Sequence, residues 1–257
     1  MTIGQGMSHA GRGLLLADLR QRIERIEGGA RRRGSTLPFG VRAIDRRLPA
    51  GGLALGCLHE FAGASAAFEH AAAPISFTAG LLARLKGPVL WCVKRRDLFA
   101  PGLTAAGLKP ERVIYAETFR DADVLPLMEE GLRSPGLAGV VAEASQMSFD
   151  ASRRLQLAAE ASGVTAFVVR RWKAASDAAL ARPTAAVTRW RIASLPSTEL
   201  TAPGIGRARW SVELLRCRGA EPSAWIMEAC DETGRLAVPA DLADRPLQTP
   251  QRRAGAG

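Results

Sequence analysis

The chain has 257 residues, of which 47% are apolar, and carries a formal net charge of +10 with a pI near 10.6. That length suits one larger domain, or one domain with appendages, and supplies ample material for a buried core. Four well-separated cysteines (Cys57, Cys92, Cys217, Cys230) without a C-x-x-C argue against a zinc site or a disulfide framework, and no run approaches the ~18 consecutive apolar residues of a membrane span. Cys57 and Cys92 lie in apolar runs and read as small buried hydrophobes. The positive balance favours acidic partners, nucleic acid first, although arginine excess from the codon usage of a GC-rich genome gives the same number. Leu14–Leu16 is too short for a signal-peptide core and is followed by Asp18, so the expected compartment is the cytoplasm.

Residues 1–12 contain glycine and serine and are expected to be loose. From about 13 to 28, the stretch LLLADLRQRIERIEGG (14–29) places Leu16, Leu19, Ile23 and Ile26 on one helical stripe, with Arg20, Arg22, Glu24 and Arg25 opposite, and Gly28-Gly29 closes the helix. A helix with an apolar stripe and no sequence neighbour must pack on the body or on another chain, so these four residues are candidate partner-binding positions. ARRRGS (30–35) reads as a basic linker. A short helix is expected around Val41–Leu48, a glycine turn at Gly51-Gly52, a strand at Cys57–Phe61 and a helix over 70–86 with Pro74 in its first turn. Strands and helices then alternate: strand 88–93, short helix 97–107, strand 113–117, helix 120–133, strand 138–143, helix 148–162 with Ser148 or Asp150 as cap and Gly163 as stop, and strand 164–170. This alternation predicts an α/β fold with a mostly parallel sheet covered on both faces by helices. After 170 the pattern changes. Residues 171–186 form a polar, alanine-rich connection, 187–195 alternate like a half-exposed strand, and two antiparallel strands form a C-terminal hairpin before a loose tail. The expected organisation is an N-terminal helix and linker (1–36), a core (37–238) and a tail (239–257).

The stretch EFAGASAAFEHA (60–71) follows a strand and opens a helix, where a phosphate-binding loop would place Gly-Lys-Ser/Thr. Gly63 and Ser65 are there, but Phe68, Glu69 and His70 fill the last three positions. A carboxylate in place of lysine repels a triphosphate, Phe68 crowds the backbone approach, and His70 is a poor magnesium ligand because that ion prefers oxygen. Glu69 and His70 invite an acid/base reading, but a glutamate at a helix N-terminus needs only the macrodipole to explain it. The loop is therefore read as degenerate, and no catalytic residue, metal ligand or cofactor is expected. Two basic groups at the C-terminal edge of the parallel strands are candidate DNA- or partner-facing positions: Lys94, Arg95 and Arg96, and Arg170, Arg171, Trp172 and Lys173. Solvated turns are the plain alternative. Within TRWR (188–191), Arg189 and Arg191 share one face and Trp190 the other, as in an amphipathic strand.

The order of an N-terminal helix, LPFGVRAIDRRLPAGGLALGCLHEFAG and VLWCVKRRDLFAPGLTAAGLKPERVIYAE resembles the RecA recombinase core. The same stretches, with MEEGLRS, SRRLQLAAEASGV, TRWRI and RARWSVELLRCRG, more closely resemble the ImuA family of bacteria, relatives of RecA also described as SulA-like; the likeness runs from about 37 to 218. This resemblance implies a RecA-like core and an accessory role in SOS-induced, error-prone translesion synthesis. The expected partners are ImuB (a Y-family-polymerase-like protein thought to lack polymerase activity), RecA and an error-prone DNA polymerase III α subunit, with weak DNA binding and homo-oligomerisation as further expectations. On the same resemblance, the RecA lysine position holds Glu69, the Ser/Thr position holds His70, the catalytic-glutamate position falls near Arg95, and Glu143 ends the strand of a Walker B acid. The implied protein is a pseudo-ATPase adaptor. An ATPase with an altered loop and a division inhibitor of the SulA type are the rival readings.

Overall fold

Continuous apolar strands separated by helices can hide both of their faces only in a parallel sheet with helices on each side. The computed structural model of the chain describes residues 34–64, 68–95, 97–171, 182–197 and 206–239. A short antiparallel pair, β1 (Thr36–Leu37) and β2 (Leu53–Ala54), flanks α1 (Arg42–Asp45). The body then runs β3 (Leu58–Gly63), α2 (Phe68–Ala83), β4 (Val89–Val93), α3 (Ala100–Ala105), β5 (Val113–Glu117), α4 (Asp121–Leu132), β6 (Gly139–Ala144), α5 (Phe149–Ser162), β7 (Thr165–Arg170), β8 (Thr188–Leu195), β9 (Arg209–Cys217) and β10 (Ser223–Glu228). The strand order in the eight-stranded sheet is β10-β9-β8-β3-β7-β6-β4-β5. All neighbours from β8 to β5 are parallel, and β8, β9 and β10 pair antiparallel. The mostly parallel, helix-flanked sheet with a C-terminal antiparallel hairpin is the fold class expected from the sequence. The helix expected at 13–28, with Leu16, Leu19, Ile23 and Ile26, and the tail from 240 onward lie outside the described residues.

Alternation along each strand sends side chains to two cores. On one face Phe39, Phe61, Phe77, Trp91, Phe167 and Trp190 gather under α2, with Phe39 and Trp190 ring centroids 5.3 Å apart. On the other, Val124, Met128 and Leu132 of α4 and Leu155 and Ala159 of α5 cover Val140, Ala142, Ala166 and Val168. Ser148 caps α5 by accepting from the Ala151 N–H, and Gly163 ends it at φ 75°, a left-handed conformation that favours glycine.

Two helix bounds and the exposure of one strand bear on the core and differ from the sequence reading. The first helix stops at Asp45 because Leu48 precedes a proline and stays extended (φ −97°, ψ 143°). Helix α2 begins at Phe68, two residues early, so Pro74 sits in its interior rather than its first turn. The lost backbone bond there is outweighed by burial of Phe77, Leu81 and Leu82 one to two turns later. Strand β8 is not half-exposed. It lies inside the sheet between β3 and β9, and Thr188, Arg189, Trp190 and Ile192 are all buried.

His59 ties β3 to β2 on one side and to its sheet neighbour β8 on the other. Its Nε2 lies 2.7 Å from the Ala54 carbonyl oxygen, which can only accept, so Nε2 carries the proton. Nδ1 then accepts from the Thr188 hydroxyl at 2.8 Å, and that hydroxyl in turn accepts from Trp190 Nε1 at 2.7 Å. Complete burial pushes the imidazole down to about 4, partly offset by the bond to Ala54. The unfolded chain takes up this proton near the ordinary value of 6.5, so between those values it binds more protons than the folded chain. Stability is therefore complete above pH 6.5 and declines by about 1.4 kcal/mol per pH unit as pH falls toward 4. Thermal melts across this range check it. A His59→Gln variant should lose stability less steeply than the parent, and an equally steep loss would contradict the assignment.

Candidate functional site

A parallel sheet delivers its loops to the C-terminal ends of its strands, where ligands usually bind. Gly63, Val93, Ala144 and Arg170 end β3, β4, β6 and β7 at that edge. Two ionic clusters occupy the strands leading to it.

The first is centred on Glu60 in β3. This carboxylate is fully buried on the α5 face, between Val168 of β7 and Arg189 of β8 in the strand register. Arg170 Nη1 donates to Glu60 Oε1 at 3.0 Å, while Arg189 Nε and the Thr184 hydroxyl donate to Oε2 at 2.8 and 3.1 Å. Each guanidinium also reaches backbone: Arg170 Nη2 donates to the Ser145 carbonyl and Arg189 Nη2 to the Arg182 carbonyl, both at 3.0 Å. Two cations against one anion leave a net buried positive charge, and desolvation lowers the Arg170 guanidinium from its ordinary value. Its Nε is buried without a hydrogen-bond partner among the described residues.

The second cluster is centred on Glu143 of β6, also buried. Trp91 Nε1 donates to Oε1 at 2.8 Å and Arg171 Nε to Oε2 at 2.5 Å, and Arg171 Nη2 continues to Asp97 Oδ1 at 2.6 Å. Burial raises the Glu143 carboxyl, against the opposing pull of Arg171 and Trp91. The chemical consequence is specific. An acid at the end of this strand, free and facing the edge, is available to a metal or a water. This one has both oxygens engaged, one by a cation. Among the described residues, no group of three or more His, Cys, Asp or Glu is placed to hold a metal ion.

The structure separates the residues singled out in the sequence. Gly63 ends β3, and Phe68, Glu69 and His70 form the first turn of α2, with the side chains of Phe68 and Glu69 outside the described residues. His70 Nδ1 accepts from the Ser194 backbone N–H at 3.2 Å, which ties the helix start to β8. Lys94 and Arg95 are exposed after β4; Arg96, Trp172 and Lys173 lie outside the described residues. Arg170 is a correction. It does not face outward toward DNA or a partner, because its guanidinium is turned into the sheet by Glu60 and is buried. Arg171 is half-buried and held by Glu143 and Asp97. Arg189 likewise points into the protein, and Arg191 pairs with Glu213 at 2.7 Å. Cys92 is buried and its thiol pushed up to about 12, whereas Cys57 is half-buried in the turn before β3. Sequence reasoning missed Glu60, Trp91, Asp97, Thr184 and Arg189. A visible signal existed for the first: a charge within an apolar strand (LHEFAG) must find a partner.

Removing one member of a buried ion cluster strands the others. Glu60→Ala should cost about 3–5 kcal/mol in denaturant unfolding. Replacing Glu60, Arg170 and Arg189 together by Met or Leu should cost less than Glu60→Ala alone. A Glu60→Ala loss within about 0.5 kcal/mol of zero would contradict the cluster's role.

No protein-family model matches the chain. Protein ImuA of Caulobacter vibrioides strain NA1000 / CB15N is 41% identical over 213 residues, covering 79% of this chain and 87% of that protein. Protein ImuA of the Caulobacter vibrioides strain ATCC 19089 / CIP 103742 / CB 15 matches with the same identity and coverage. Identity of that level over most of both chains places this chain in the ImuA family.

Proposed function

We propose that this protein is a non-catalytic accessory factor of the ImuA–ImuB damage-induced mutagenesis system, with ImuB as its direct partner and with RecA and an error-prone DNA polymerase III α subunit in the same assembly. The observation that carries the non-catalytic reading is the Glu143 carboxylate, which is bound on one oxygen by Trp91 and on the other by Arg171 at the sheet edge where a nucleotide-dependent enzyme would keep an acid free for its metal. Three features support it. The helix that follows β3 opens with Phe68-Glu69-His70 in place of Gly-Lys-Ser/Thr. His70 is committed to the Ser194 backbone. The Arg171–Asp97 pair extends across the same edge from the loop after β4. No helix among the described residues is long and apolar enough to cross a membrane.

The N-terminal stripe of Leu16, Leu19, Ile23 and Ile26 is the proposed partner-binding element, since an apolar stripe that leads into a basic linker needs a surface to cover it. Lys94, Arg95 and Arg96 are proposed to add salt-sensitive, sequence-independent attraction to DNA.

Co-purification with ImuB tests the accessory role. The full-length chain should retain ImuB through gel filtration, and a version lacking residues 1–33, or carrying alanine at the four stripe positions, should lose it. Failure of the full-length chain to associate would overturn the reading, and retention by the stripe variant would remove the N-terminal helix from it.

A further inference from the structure

Helix α5 has an outer flank that the sheet does not use. Phe149, Arg153, Leu157 and Glu160 follow one another at steps of four, four and three and so share one side of the helix. Phe149 and Leu157 are 49% and 54% exposed, large apolar side chains left in solvent one above the other. Across from them run Thr184 and Ala185, just before β8, and Arg216 and Arg218 at the end of β9. Together these residues line an open groove of about 400 Å³.

The groove walls are fixed. Gln156 of α5 accepts from the Leu58 N–H at 2.8 Å and donates to Glu160 at 2.6 Å, while Ser152 accepts from the Ala185 N–H at 2.9 Å. Arg216 Nη1 donates to the Thr184 carbonyl at 2.7 Å, which orients its remaining N–H groups. Arg153 and Arg218 are exposed, and neither guanidinium has a hydrogen-bond or ion-pair partner among the described residues. An apolar floor framed by three arginines and one glutamate is complementary to a segment that is acidic on one side and apolar on the other.

We infer that this groove is a docking site for an acidic amphipathic helix of a protein partner, which inserts two apolar side chains against Phe149 and Leu157 and aligns its carboxylates with Arg153, Arg216 and Arg218. The spacing fits a helix. Phe149 and Leu157 are eight residues apart, about 12 Å along α5, and a partner helix repeats an apolar position every two turns at nearly that distance. Nucleic acid fits less well: the floor offers one aromatic and one aliphatic side chain rather than a row of stacking platforms, and Glu160 opposes a phosphate backbone. The groove shares no residue with those on which the accessory-factor reading rests, so the two can fail separately.

Fluorescence anisotropy with the full-length protein tests it, using a labelled synthetic peptide of roughly 16 residues, rich in Glu, with Leu at helical a and d spacing. Two further probes are a scrambled peptide of the same composition and a labelled oligo(dT). The amphipathic peptide should bind at least about tenfold more tightly than the scrambled one. Both Arg153→Glu/Arg218→Glu and Phe149→Ser/Leu157→Ser should weaken it about tenfold or more. The charge-matched Arg46→Glu/Arg47→Glu variant, on the opposite face, should leave binding unchanged. Circular dichroism confirms that each variant is folded. Equal affinity for the scrambled peptide, no binding, or binding insensitive to both groove variants would overturn the inference. So would a preference for oligo(dT) that depends on the arginines but not on Leu157, which would make the groove a nucleic-acid surface.

Discussion

A single buried carboxylate sets the architecture of this molecule. Glu60 stands in β3, which pairs parallel with β7 on one side and on the other with β8, the strand where the sheet turns antiparallel. An isolated charge there is untenable, and the protein supplies Arg170 from the strand on one side, Arg189 from the strand on the other, and Thr184 from the connection that crosses between them. The three strands are thereby locked in one register by side chains as well as by their backbone ladders. Such clusters contribute little net stability compared with apolar packing, but they penalise every arrangement that leaves a member unpaired. The Glu60 cluster also does what a helix would do elsewhere. On the α5 face it occupies the position beyond α5, and the segment from Arg182 to Ala186 lies over it.

The same logic recurs nearer the sheet edge. Glu143 is raised by burial, yet its oxygens are filled by Trp91 and Arg171, and Arg171 is shared with Asp97. The Glu143 carboxylate thereby joins β4, β6 and the residue that follows β7. The edge is an ion-paired surface, and among the described residues Lys94 and Arg95 after β4 are exposed cations on it. A scaffold of this kind keeps the geometry of an α/β core while committing its polar groups to structure, and membership of the ImuA family gives that scaffold its biological setting.

Much of the fold was legible in the sequence because periodicity is a local signal. Runs such as VLWCV and TAFVVR alternate with amphipathic helices, and Ser148 and Gly163 bracket α5 as their chemistry dictates. What escaped was pairing at long range. Arg170 and Arg189 look like surface basics in RRWK and TRWR, and only the sheet order, which brings both beside Glu60 more than a hundred residues away, turns them inward. Trp91 and Asp97 were invisible as partners of Glu143 and Arg171 because their relation exists only across strands. Pro74 was misplaced by a more ordinary error: helix starts drift by one or two residues when the cap is not clear.

The central proposal is that the core neither binds nor hydrolyses nucleotide, because the carboxylate at its sheet edge is held in internal ion pairing. Titration calorimetry of the full-length protein with Mg-ATP tests it most directly, with a phosphate-release assay on the same sample. The account predicts no saturable heat and no turnover. Saturable binding in the micromolar range, accompanied by hydrolysis that Glu143→Gln abolishes, would contradict it.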